Sequence, residues 1–118
     1  MKNTLLIIAV MVLSACASMP TMKSVAGTYE RKKDGVRVGA YKQVFLDNGV
    51  IEYWDHGKYR TKEKWKIVDG EIHAKAGAAG TGVYRVNKDG SLTVIAWIRV
   101  VKRRDVPKED QFTLKKIK

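Results

Sequence analysis

From Val25 onward, apolar and polar residues alternate with period two in short runs, and Gly-containing pairs punctuate them. Asp34-Gly35, Asn48-Gly49, Asp69-Gly70 and Asp89-Gly90 recur between β-prone stretches, with His56-Gly57 as a weaker fifth signal. Such pairs tolerate the positive φ that tight hairpins need. No window carries a helical period. The pattern predicts eight strands, near residues 26–32, 36–47, 50–54, 58–68, 71–76, 82–87, 91–101 and 111–117. The expected fold class is all-β, an antiparallel up-and-down meander that hides its inner face and edges by forming a small barrel or a sandwich.

A one-residue slip of register turns every side chain to the other face, so the turns predict which residues point inward. A two-residue Asn48-Gly49 loop sets Leu46 opposite Ile51 and Val44 opposite Tyr53. A three-residue Asp55-His56-Gly57 loop sets Tyr53 opposite Tyr59 and Ile51 opposite Thr61. Asp69-Gly70 sets Ile67 opposite Ile72 and Trp65 opposite Ala74. A three-residue loop ending at Gly90 sets Val86 opposite Leu92 and Tyr84 opposite Val94. One apolar face then runs through successive hairpins, and Phe112 and Leu114 extend it.

The chain before this meander has a different character. Lys2 gives a positive start, Leu5 to Leu13 an apolar core, and Ser14 and Ala15 precede Cys16, the one cysteine among 118 residues. Nine apolar residues are too few for a membrane-spanning helix, which takes about 20. A lone Cys excludes an intramolecular disulfide framework and a Cys-based zinc cluster. The run Leu13-Ser14-Ala15-Cys16 resembles the lipobox of bacterial lipoproteins. That resemblance implies a signal peptide over residues 1–15, lipidation of Cys16, a tether through residue 24 and one all-β domain over 25–118. Ala17 stands where the family's inner-membrane retention signal has Asp, which implies the periplasmic face of the outer membrane in a Gram-negative host. Removal of Lys2 leaves 22 basic against 12 acidic side chains, a net charge of +10.

Gly27-Thr28-Tyr29, opening the first strand, resembles the Gly-x-Trp start of lipocalin-type barrels, with Tyr in place of Trp. The resemblance implies a barrel architecture and carries no binding residues across.

Charge concentrates in one strand. Lys58, Arg60, Lys62, Lys64 and Lys66 alternate with Tyr59, Thr61, Glu63, Trp65 and Ile67. They form an expected comb of five cations, about 6.7 Å apart, on the face opposite the core. Register places Lys75 beside Lys64, His73 beside Lys66 and Glu52 opposite Arg60. Lysine on exposed strands serves solubility and blocks edge pairing. The acids Asp34, Asp47, Asp55, Asp69 and Asp89 are explained by turns. Few acids therefore remain to balance the comb or the clusters Arg31-Lys32-Lys33, Lys102-Arg103-Arg104 and Lys115-Lys116-Lys118.

Tyr53, Thr61, Glu63 and Tyr84 have inward parity and are candidate contacts for an interior ligand, and Lys42 is a candidate partner for Glu63. Trp54, Ile95 and Trp97 fall on the outer face. Either Val83, Ile95 and Trp97 form an apolar patch for a protein partner, or a bulge shifts the register there. Neither His56 nor His73 has a second ligand at metal-binding spacing, and no P-loop, dinucleotide or nucleophile-elbow motif occurs. Gly77-Ala78-Ala79-Gly80-Thr81-Gly82 reads as a hairpin connection at a barrel mouth, and residues 103–110 as an irregular loop.

The expectation is a non-enzymatic, lipid-anchored envelope protein without metal or cofactor. Its basic strand docks on an anionic partner: lipid, lipopolysaccharide or a cell-wall polymer. Nucleic acid suits the charge but not the address. Two alternatives stand beside it, a carrier of a small apolar ligand inside the barrel and an assembly or inhibitor module that binds a protein.

Overall fold

Hairpin turns thread the chain into a nine-stranded antiparallel sheet, seen in a computed structural model that describes residues 19–33 and 36–118. The leader, Cys16 and the Asp34-Gly35 turn lie outside the described residues. The strands are β1 (Gly27–Lys33), β2 (Val36–Phe45), β3 (Val50–Asp55), β4 (Lys58–Val68), β5 (Glu71–Lys75), β6 (Thr81–Val86), β7 (Leu92–Arg99), β8 (Lys102–Asp105) and β9 (Thr113–Lys116). Their order is β6-β5-β4-β3-β2-β1-β9-β7-β8, and β6 also pairs with β7. Eight strands therefore close into a barrel, which removes the edges that an open meander leaves. The remaining strand, β8, hangs on the outer half of β7. Leu92 and Thr93 of β7 pair with β9, whereas Ala96 to Arg99 pair with β8.

Two of the expected registers hold. Ile67 pairs with Ile72 and Trp65 with Ala74 across Asp69-Gly70, and Val86 pairs with Leu92 and Tyr84 with Val94 across the turn ending at Gly90. The first hairpin differs. Asp47, Asn48 and Gly49 make a three-residue loop, with Gly49 at φ 86°, so Phe45 pairs with Ile51 and Gln43 with Tyr53. This one-residue slip turns Phe45, Gln43 and Tyr41 toward the interior in place of Leu46, Val44 and Lys42. Lys42 is therefore not on Glu63's face. The next turn is the two-residue His56-Gly57, with both φ positive, followed by a bulge. Trp54 faces Tyr59, Tyr53 faces Thr61, Ile51 faces Glu63, and Glu52 faces Lys62 rather than Arg60. Tyr59 thereby moves to the outside, against Trp54, with ring centroids 5.7 Å apart.

A second bulge, at Ile95, decides between the two readings of that region. Val83 pairs with Ala96 and Gly82 with Trp97, so the Trp97 ring turns inward and packs against the core. The long strand expected over 91–101 ends at Arg99. Val100 and Val101 make a turn, and Lys102–Asp105 returns as β8, where an irregular loop was expected.

The turns sort to the two ends of the barrel. At one end, the stretch expected to be tether forms a helical turn, α1 (Met22–Val25), closed by a reciprocal Thr21–Ser24 capping box. Val25 is buried beneath it, and Tyr29 donates its hydroxyl hydrogen to the Val25 carbonyl at 2.5 Å. Tyr29, Phe45 and Trp65 stack edge to face with centroids 5.2 Å apart, and Trp65 Nε1 donates to the Leu46 carbonyl at 2.8 Å. The Gly-x-Tyr opening has its physical reason here. A Cβ on Gly27 would sit 2.5 Å from the Lys118 carbonyl oxygen, and Tyr29 pins the helical turn over the barrel. Ile51, Ile72, Leu92, Val94 and Leu114 fill the middle layer.

Candidate functional site

At the opposite end the interior is not filled. Toward the end that carries the His56-Gly57, Gly77–Ala79 and Val100-Val101 turns lies a cavity of about 320 Å³. That is at the small end of ligand-pocket sizes. Tyr41, Tyr53, Tyr84, Trp97 and Phe112 line it, together with Ala76 and two polar residues, Arg31 and Gln43. A shallower recess of about 220 Å³ shares Tyr41, Tyr53 and Ala76 with it and opens outward past Asp55, Arg60 and Thr61.

Each lining residue arrives for a local reason. Arg31 pairs with Leu114 across β1 and β9, and Leu114 is fully buried, so Arg31 has inward parity. The β1–β2 register shifts between Glu30 and Lys32, at the level of this side chain. Its guanidinium lies 4.0 Å from the centroid of the Phe112 ring, a cation–π contact. Gln43 and Tyr41 are inward because of the three-residue turn at Gly49, and Trp97 because of the bulge at Ile95.

The electrostatics of the cavity are one-sided. Among the described residues, Arg31 is the one charged residue that lines it, and no carboxylate lies within ion-pair distance of its guanidinium. Arg31 Nε and Gln43 Oε1 are buried and have no hydrogen-bond partner. Orphaned polar atoms of this kind cost about 1–3 kcal/mol each, and more when charged. The tyrosines stay neutral at physiological pH. Burial pushes the Tyr84 phenol up to about 12, opposed by its Gln43 and Arg31 neighbours. Tyr53 is raised chiefly by burial, and Tyr41 by burial and by Asp55. Tyr53 donates to the Lys75 carbonyl at 2.7 Å, whereas the Tyr41 hydroxyl, and that of Tyr84 beside the Gln43 amide, lie close to the free space. The site therefore offers flat apolar walls, a cation with a free N–H, two hydroxyls and an amide oxygen.

Of the four interior residues expected from parity, Tyr53 and Tyr84 line the cavity and Thr61 lines its outer recess. Glu63 is half-buried and lines neither. Sequence reasoning did not single out Arg31, Tyr41, Gln43 or Phe112 for this role. Arg31 was absorbed into a basic cluster, and the hairpin slip hid Tyr41 and Gln43.

The comb is divided by the bulge after Tyr59. Arg60 lies 3.6 Å from Asp55 at the outer recess, and Lys58 pairs across from Asp55. Lys62, Lys64 and Lys66 are exposed. Lys64, Lys66, Lys75 and His73 line an outward groove of about 550 Å³, with Lys66 paired to His73. His73 Nε2 sits 3.7 Å from Glu71, whose carboxylate is gripped by both terminal nitrogens of Arg103 at 2.9 and 3.2 Å.

Among the described residues, no three of His, Cys, Asp or Glu gather closely enough to hold a metal, and no helix is long and apolar enough to cross a membrane. In comparisons with known proteins, the chain matches no family model, no curated protein and no solved structure.

Proposed function

We propose that this chain is a non-enzymatic, lipid-anchored envelope protein whose barrel holds a small anionic amphiphile in its open end. One observation carries the reading. A cavity walled by aromatic rings contains an inward-facing guanidinium with no carboxylate partner among the described residues, beside an unpartnered amide oxygen. A ligand with a carboxylate or phosphate head and a flat or short apolar body satisfies those groups and displaces water from the walls. The lipobox-like leader supports the address, Cys16 as the lipidated residue and the periplasmic face of the outer membrane as the location in a Gram-negative host.

The three tryptophans provide the test. Trp97 lines the cavity, Trp65 lies at the closed end and Trp54 is outside against Tyr59. Titration of the full-length protein with 4-phenylbutyrate, followed by the indole N–H signals, is expected to move Trp97 and leave Trp54 and Trp65 in place. Equal movement of all three, or of none, contradicts the reading.

Docking on an anionic envelope component is a second reading. The groove with Lys64, Lys66, Lys75 and His73 favours it, since no acid lines that groove. Reversal of Lys62, Lys64 and Lys66 to Glu is expected to weaken binding to lipopolysaccharide, and unchanged binding rules this reading out.

A further inference from the structure

β8 contributes nothing to barrel closure, and the tip of the β7–β8 hairpin breaks two rules at once. Val100 and Val101 are 95% and 98% exposed, the two most exposed of the large apolar residues among those described. Both also have positive φ, 49° and 58°. Arg99 pairs with Lys102, so the loop has two residues with both φ positive, as in a type I′ turn. β-Branched residues in this region are strained, and Asn-Gly would fit it without cost. Among the described residues, the other two-residue turns, His56-Gly57 and Asp69-Gly70, place glycine second at φ 75° and 78°. At this one tip, apolar side chains stand where turn geometry disfavours them and water surrounds them.

The flanking charges indicate the partner. Arg99, Lys102 and Arg104 are exposed beside the valines, and the neighbouring Arg103 is occupied by Glu71 and Asp105. An apolar apex with cations just behind it matches a bilayer boundary, where the apex enters the acyl region and long basic side chains reach back to headgroups. The excess of positive charge at the tip favours an anionic bilayer over a neutral one. We infer that the Val100-Val101 tip inserts into the interface of an anionic membrane. The tip also lies at the open end of the barrel, where Arg99 Nε donates to the Ala79 carbonyl of the mouth loop at 3.2 Å. Insertion therefore brings the cavity mouth to the membrane surface. The inference stands on the hairpin alone and does not require that the cavity bind a ligand.

Depth of the tip is the direct test. The full-length chain with Cys16→Ser has no other thiol, so a nitroxide on Val101→Cys reports one position. In vesicles of phosphatidylglycerol and phosphatidylcholine, this label is expected to be more accessible to oxygen than to a water-soluble nickel chelate. A label on Asp69→Cys, at the opposite end, is expected to show the reverse. A tip label as open to the chelate as the Asp69 label overturns the proposal and favours a protein partner. The double variant Val100→Asn/Val101→Gly provides an independent arm that the fold itself reports. Relief of turn strain is expected to raise its melting temperature by about 4 °C or more, while association of the Cys16→Ser tip region with the vesicles, read by a label on Lys102→Cys, is lost. An unchanged or lower melting temperature with the label still buried shows that the valines are not retained for the membrane.

Discussion

The two ends of the barrel are built from the same kinds of residue and reach opposite results. At the closed end, Tyr29, Phe45 and Trp65 stack at 5.2 Å spacings under a capped helical turn, and the tyrosine hydroxyl and indole N–H both find backbone carbonyls. At the open end, Tyr41, Tyr84, Trp97 and Phe112 stand around about 320 Å³ of free space with a guanidinium among them that has no carboxylate partner among the described residues. Aromatic content does not separate a core from a site. Completion of the polar contacts does, because a core satisfies its hydroxyls and amides internally and a site leaves some for a ligand.

The largest effect should come from breaking the closed end. Trp65→Ala removes a 97%-buried side chain and its hydrogen bond, and is expected to lower unfolding free energy in urea by about 3–5 kcal/mol. Trp97→Ala, at a half-buried position already bordering a cavity, is expected to cost no more than about 2 kcal/mol while it abolishes ligand binding. A larger loss at Trp97 than at Trp65 would reverse the assignment of the two ends. Arg31→Met sharpens the contrast further. It replaces an unpaired inward cation by an apolar chain and should leave the unliganded protein as stable or more stable by about 1 kcal/mol.

A separate contrast lies in alkaline stability. Tyr29 at the closed end and Tyr84 at the open end are both pushed up to about 12 by burial, from an ordinary value of 10.0. A raised phenol contributes stability that is whole below pH 10 and is lost as pH climbs toward 12. Denaturation midpoints should be flat up to about pH 9 and fall between pH 10 and 12. A bound anion should push Tyr84 higher and leave Tyr29 alone, which tyrosinate absorbance of Tyr29→Phe and Tyr84→Phe variants separates.

Much of the barrel was legible because Asp69-Gly70 and the loop ending at Gly90 have the turn chemistry that fixes register, and parity did the rest. The site was less legible. The end of β2 and the residue after it read Tyr41-Lys42-Gln43-Val44-Phe45-Leu46, with apolar residues on both parities, so the pattern does not select a register. The left-handed Gly49 as third loop residue selects it, and the interior then receives Gln43 instead of Val44. Both bulges come from one extra residue, Arg60 or Ile95, that alternation alone does not mark. β8 was hidden because Val100-Val101 carries no turn signal, which is the same departure from turn chemistry that points to its use.

The most direct test of the account is calorimetric titration of the full-length protein with a matched pair, 4-phenylbutyrate and 4-phenylbutanamide, repeated with Arg31→Gln. The two ligands share shape and apolar area and differ in charge. The account predicts that the carboxylate binds the native protein tighter by about tenfold or more, and that Arg31→Gln removes this preference while binding of the amide persists. Equal binding of the two ligands by the native protein, or a preference that survives Arg31→Gln, contradicts the claim that the unpaired guanidinium defines the site.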